Sequence, residues 1–174
     1  MGNVETETLI SVEEYLNTSY DPDREYLDGR VVERNLGELD HSELQTEFAI
    51  FLGTLRAPVG FRIYVEQRVQ VKANRFRVPD ICIVVGPRPR GRILVEPPLV
   101  CIEILSREDR VSDLQERVDD YLEFGVRYVW VIDPRKQRAW VYTTEGVREA
   151  KDGVLRTTAP EIVDTLGEIY AALE

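Results

Sequence analysis

Apolar residues recur along this chain with two periods, and the switches between them divide it into elements. Leu44, Phe48, Phe51, Leu52 and Leu55 fall at helical spacing and predict a helix behind a cap-like Asp40 and Glu43 pair. Val111, Leu114, Val118, Tyr121 and Leu122 predict another over residues 109–124, stopped by Gly125. Ser11-Val12-Glu13-Glu14 has the form of a capping box and opens a short first helix. Residues 62–72 alternate instead, with Ile63, Val65, Val69 and Val71 on one side, and predict a single half-buried strand. Residues 81–85 and 99–105 are nearly continuous apolar runs, the pattern of strands covered on both faces. Residues 128–132 read as a further buried strand closed by Asp133-Pro134, with residues 139–142 as its antiparallel neighbour. Asp28-Gly29 between Glu25-Tyr26-Leu27 and Arg30-Val31-Val32-Glu33 predicts a hairpin, because both turn residues tolerate positive φ. Residues 160–174 predict one closing helix. The order implies an α/β domain over 1–174, with a mixed β-sheet flanked by helices on both sides.

Composition narrows the class. The chain has 174 residues, 43% hydrophobic and 31% charged, enough to bury a core without disulfides. No run approaches the roughly 18 apolar residues of a membrane span, and the polar, acidic start at residues 1–8 has no leader pattern. A cytoplasmic setting is therefore expected. The net charge of −10 argues against indiscriminate binding of nucleic acid, which needs clustered cations. The basic residues are nevertheless almost all arginine, with only Lys72, Lys136 and Lys151 as exceptions, and arginine suits bidentate phosphate contacts.

Two carboxylates break the apolar pattern. Asp80 follows Pro79 at the start of one buried run, and Glu103 lies inside the other. A charge in such a strand is costly unless it is paired or bound to metal. If the two strands pair antiparallel with Asp80 opposite Glu103, the acids share a face and Cys82 falls opposite Cys101. The cysteines are then expected to be reduced, small apolar side chains. A hard cation such as Mg²⁺ or Mn²⁺ needs only one or two carboxylates and completes its shell with water and phosphate.

Pro79-Asp80, then Glu103-Ile104-Leu105-Ser106, then Tyr121, Gly125-Val126 and Tyr128-Val129-Trp130-Val131-Ile132-Asp133-Pro134 resemble the Uma-two family of restriction endonuclease-like proteins. The likeness extends from Glu25-Tyr26-Leu27-Asp28-Gly29 and His41 to the C-terminal helix. It implies the restriction-endonuclease-like fold of the PD-(D/E)XK nuclease superfamily. It also implies a metal-dependent endonuclease acting on DNA, with Asp80 and Glu103 as ligands. The superfamily's lysine, two positions after the glutamate, is Leu105 here, and the basic residue on the following helix is Arg117. Arginine stays protonated and cannot serve as a general base, so Arg117 is expected to orient water or steady phosphate charge.

Glu25 and His41 are further site candidates through the same likeness. Without it, Glu25 is a hairpin-edge charge, His41 a solvent-facing first-turn residue, and Arg117 a helix-surface partner of Asp113. Arg88, Arg90 and Arg92 lie in a Gly-Pro-rich loop and could grip phosphates. Cutting a duplex needs two sites, which makes a homodimer a candidate assembly. The competing reading is a catalytically inactive nucleic-acid- or protein-binding module on the same fold, favoured by Leu105, Arg117 and the acidic charge.

Overall fold

The computed structural model describes residues 8–35 and 37–173; the expectations for residues 1–7 and for Glu174 lie outside them. The elements, in chain order, are α1 (Val12–Asn17), β1 (Glu25–Leu27), β2 (Arg30–Val32), α2 (Leu39–Val59), β3 (Phe61–Val65), β4 (Val69–Lys72), β5 (Arg75–Arg77), β6 (Ile81–Val85), β7 (Val100–Ile104), α3 (Val111–Phe124), β8 (Tyr128–Asp133), β9 (Arg138–Thr143), β10 (Gly146–Glu149), β11 (Val154–Arg156), β12 (Val163–Thr165) and α4 (Leu166–Ala171).

Six strands form the main sheet in the order β10-β9-β8-β7-β6-β3. Only β7 and β8 run parallel, with α3 in the connection between them. Strand alternation sorts the side chains cleanly. Ile81, Ile83, Val100, Ile102, Ile104, Trp130 and Ile132 pack with Leu44, Phe48 and Leu52 of α2 and with Leu166 and Ile169 of α4. Cys82, Cys101, Val129 and Val131 face the opposite way, onto Val118 and Tyr121 of α3. Helices therefore cover both faces, as the apolar runs predict. Ile81 pairs with Ile102 and Cys82 with Cys101, which is the expected register, and both cysteines are free and buried.

The second sheet has the order β2-β1-β5-β4. Its hairpin turns at Asp28 and Gly29, both at positive φ, and its core is Tyr15 of α1 against Tyr26 and Phe76. Ser11 caps α1 as expected, its hydroxyl accepting from Glu14 N. Among the described residues, no helix is long and apolar enough to cross a membrane.

Four expectations need correction. The strand over residues 62–72 is two strands in different sheets, because Glu66 takes a φ of 50° and turns the chain from β3 into β4. Helix α2 starts at Leu39 behind Glu38, with no side-chain cap, so Asp40 lies within the first turn instead of capping it. The tail is not one helix: Val163–Thr165 pairs with Val154–Arg156, and only then does α4 begin. Val111 does not belong to the buried stripe of α3, being 84% exposed.

Gly125 ends α3 at a φ of 110°, and a Cβ there would lie 3.4 Å from Pro97 Cγ. Gly125→Ala is expected to cost about 1–2 kcal/mol, since alanine resists this backbone conformation and the added carbon crowds Pro97. A urea-denaturation midpoint equal to that of the unmodified chain would refute this.

Candidate active site

The two sheets meet where the chain crosses between them. It leaves the main sheet at Glu66, after β3, and returns through Val78 and Pro79 into β6. Asp80 sits at that return, and its carbonyl accepts from Glu66 N (3.1 Å) and from Gln45 Nε2 (3.0 Å). Asp80 and Glu103 each lie one residue beyond the paired Ile81 and Ile102, at adjoining positions of the two chains.

Both acids are buried, Asp80 4% exposed and Glu103 5%. Asp80 Oδ2 accepts from Ile104 N (2.7 Å) and lies 3.3 Å from His41 Nε2. Asp80 Oδ1 accepts from Arg34 Nη2 at 2.9 Å. Glu103 Oε1 accepts from Tyr121 Oη at 2.7 Å, and its Oε2 lies 3.4 Å from Arg117 Nε, an atom with no hydrogen-bond partner. Burial pushes the Glu103 carboxyl up to about 7, against the pull of Arg117, and the charges of Asp80 and Glu25 add to the rise. Burial disfavours the His41 cation, yet the hydrogen bond and charge of Asp80 prevail and raise its pKa.

Arg117 does not pair with Asp113. Its Nη2 donates to Asp109 Oδ1 at 2.9 Å, so α3 directs it inward beside Glu103. Asp109 in turn accepts from Ser106 N and Oγ at 2.8 and 3.1 Å. These bonds and that of Arg117 outweigh burial and hold the Asp109 carboxyl below its usual value. His41 is turned to Asp80 and not to solvent, its side chain 11% exposed.

Glu25 is likewise no edge charge. It is buried, with Oε2 accepting from Arg77 Nη1 (2.7 Å) and Oε1 from Val78 N (3.2 Å). Arg88, Arg90 and Arg92 are exposed on the loop after β6, whose first end lies at the opposite end of that strand from Asp80.

Asp80, Glu103, Arg117 and His41 thus come together, and Glu25 lies near enough for its charge to act on Glu103 and Arg117. Sequence reasoning missed Arg34, Tyr121 as a Glu103 partner, and Asp109. Only Asp109 left a local signal, the Ser106-x-x-Asp109 spacing of a turn.

Among the described residues, no group of three or more His, Cys, Asp or Glu side chains is arranged to hold a metal. The two carboxylates are hard oxygen donors, with Arg34, His41 and Arg117 beside them. That suits an ion such as Mg²⁺ or Mn²⁺ that keeps most of its water, and does not suit a fully protein-caged site.

An open cleft of about 840 Å³ runs from Val12, Leu16 and Tyr20 to Arg68 and Arg92 and is bounded by Glu66. It adjoins the acidic cluster and does not contain it.

A crystal structure described as "a putative nuclease belonging to DUF820 from Anabaena variabilis" has the same fold, with a TM-score of 0.80 and 22% identity. The match covers 95% of this chain and 99% of that one. No curated protein matches the chain. The family model described as "Putative restriction endonuclease", Uma2, matches residues 12–173. With nearly the whole chain matched by that model, this protein belongs to the Uma2 family.

Proposed function

We propose that the chain is a divalent-metal-dependent endonuclease that hydrolyses phosphodiester bonds in DNA. The observation that carries this reading is the pair of buried carboxylates, Asp80 just before β6 and Glu103 within β7, each one residue beyond the Ile81–Ile102 pair, with Arg34, His41 and Arg117 against them. Protein cations already stand beside each acid, Arg34 and His41 at Asp80 and Arg117 at Glu103, and a hard ion beside these oxygens would take over part of that neutralisation and replace their lost hydration.

Asp80 and Glu103 would hold Mg²⁺ or Mn²⁺, which when bound supplies Lewis-acid stabilisation of a phosphoryl oxygen. His41 Nε2 and Ile104 N fix the Asp80 carboxylate. Tyr121 fixes Glu103 from α3. Arg117, anchored on Asp109, keeps its unpartnered Nε beside Glu103, and its permanent charge can steady a phosphate but cannot accept a proton. Glu25 contributes indirectly, holding Arg77 and adding negative potential at Glu103. Cutting both strands of a duplex calls for two such sites, so a homodimer belongs to this reading.

The test is a plasmid-nicking assay in Mg²⁺ and in Mn²⁺. Asp80→Asn and Glu103→Gln are each expected to lower the cleavage rate at least about 100-fold, in the range for losing a charged transition-state group. Metal-dependent nicking retained by both variants would overturn the proposal. A second reading, an inactive binding module, is favoured by Leu105, which packs with the α3-side core and supplies no charge. It predicts that the unmodified chain binds Mn²⁺ and nicks nothing.

A further inference from the structure

Arg34 is the closest cation to the outer oxygen of Asp80. Its Nη2 lies 2.9 Å from Asp80 Oδ1 and its Nη1 3.7 Å from Glu66 Oε2. The side chain is only 14% exposed, so this is not a loose surface pair. Asp80 Oδ2 is already engaged by Ile104 N and His41. Oδ1 is therefore the oxygen an incoming ion would take, and Arg34 is on it.

Arg34 also belongs to neither neighbouring element. It lies between β2 and α2, so its side chain can turn away without disturbing a strand or a helix. A guanidinium and a divalent ion on one carboxylate oxygen repel each other, and each relieves the same buried charge, so each weakens the hold of the other.

Resting on the metal-binding reading above, we propose that Arg34 is a built-in counter-cation that competes with divalent metal for Asp80 and binds the DNA phosphodiester once displaced. In the metal-free chain it neutralises Asp80. When metal takes Oδ1, its five N–H donors are released at the edge of the site, in a fork that fits phosphate oxygens. Metal loading and DNA contact are thereby linked through one side chain, and by reciprocity each favours the other.

Isothermal titration of the full chain with Mn²⁺, without DNA, tests this. Arg34→Gln is expected to bind Mn²⁺ about tenfold more tightly, the scale of one charge-assisted contact removed from the competing state. Arg34→Lys, which keeps the charge but loses the planar fork, is expected to tighten by a smaller factor and guards against a glutamine variant that folds poorly. In the nicking assay, the KM of Arg34→Gln for plasmid is expected to rise while its Mn²⁺ affinity improves. A merely structural role would not move the two in opposite senses. Unchanged or weaker Mn²⁺ binding in both variants overturns the role of Arg34. If Mn²⁺ binding is lost in Asp80→Asn, the metal site itself stands even then. Mn²⁺ binding that is absent, or indifferent to Asp80→Asn, overturns the metal reading and this proposal together.

Discussion

Arg77→Met is expected to destabilise the chain by about 3–5 kcal/mol, the cost of leaving buried carboxylates without their cation. Arg77 is 3% exposed and joins two buried acids: Nη1 donates to Glu25 Oε2 and Nε to Asp120 Oδ2, each at 2.7 Å. Its Nη2 is also 2.7 Å from Asp120 Oδ2, but it is not aligned to hydrogen-bond. Methionine fills most of the space and removes the charge. Glu25 then loses its Arg77 partner, whereas Asp120 keeps Arg75. The loss should appear as a lower urea midpoint with an unchanged slope. Adding Glu25→Gln to Arg77→Met should recover part of it, because the orphaned charge goes too. A midpoint within experimental error of the unmodified chain would show that the network is not what holds β1 and β5 to α3.

Asp164 provides the second large effect, one that depends on pH. It is fully buried in β12, both carboxylate oxygens lack a partner, and burial, reinforced by the charge of Glu168, pushes its pKa up to about 8. Unfolded, it titrates near the ordinary 3.8. Below that value both states carry the proton, and the stability of the protonated arrangement is fully present. As pH rises towards about 8 the unfolded chain releases the proton and the folded chain keeps it, so stability falls by up to about 1.4 kcal/mol per unit. Asp164→Asn imitates the protonated acid and removes this slope. It is expected to gain about 2–4 kcal/mol at pH near 8 relative to its effect near pH 4. Urea denaturation across that interval decides: parallel stability profiles for the two proteins would contradict the assignment.

The central strands were legible because each carries its burial in its own letters. Residues 81–85, 99–105 and 128–132 are apolar almost throughout, and only a sheet covered on both faces accommodates them. The β6–β7 register was legible for a chemical reason: two charged residues in otherwise apolar runs are expected to share one face, and only one pairing brings them together. Strand β5 was not legible. Arg75-Phe76-Arg77 reads as a polar turn, because the acids that neutralise it, Asp28, Glu25, Glu116 and Asp120, arrive from other elements. The break at Glu66 was hidden because the alternation runs through it, and no glycine, proline or asparagine marks its positive φ. Arg34 carried no signal, since its partner Asp80 lies 46 residues away. For Arg117, local spacing named the wrong acid: Asp109, two intervals of helical period upstream, wins because the Ser106 turn folds it back.

The double crossing between the sheets makes the hairpin layer part of the instrument and not an attachment to it. Asp80 is welded by its own main chain to β6 on one side and, through Pro79, Val78 and the Glu25 contact, to the aromatic cluster on the other. The same carboxylate is tied back to the main sheet by Ile104 N, so one residue joins the aromatic cluster of Tyr15, Tyr26 and Phe76 to the strand that carries Glu103.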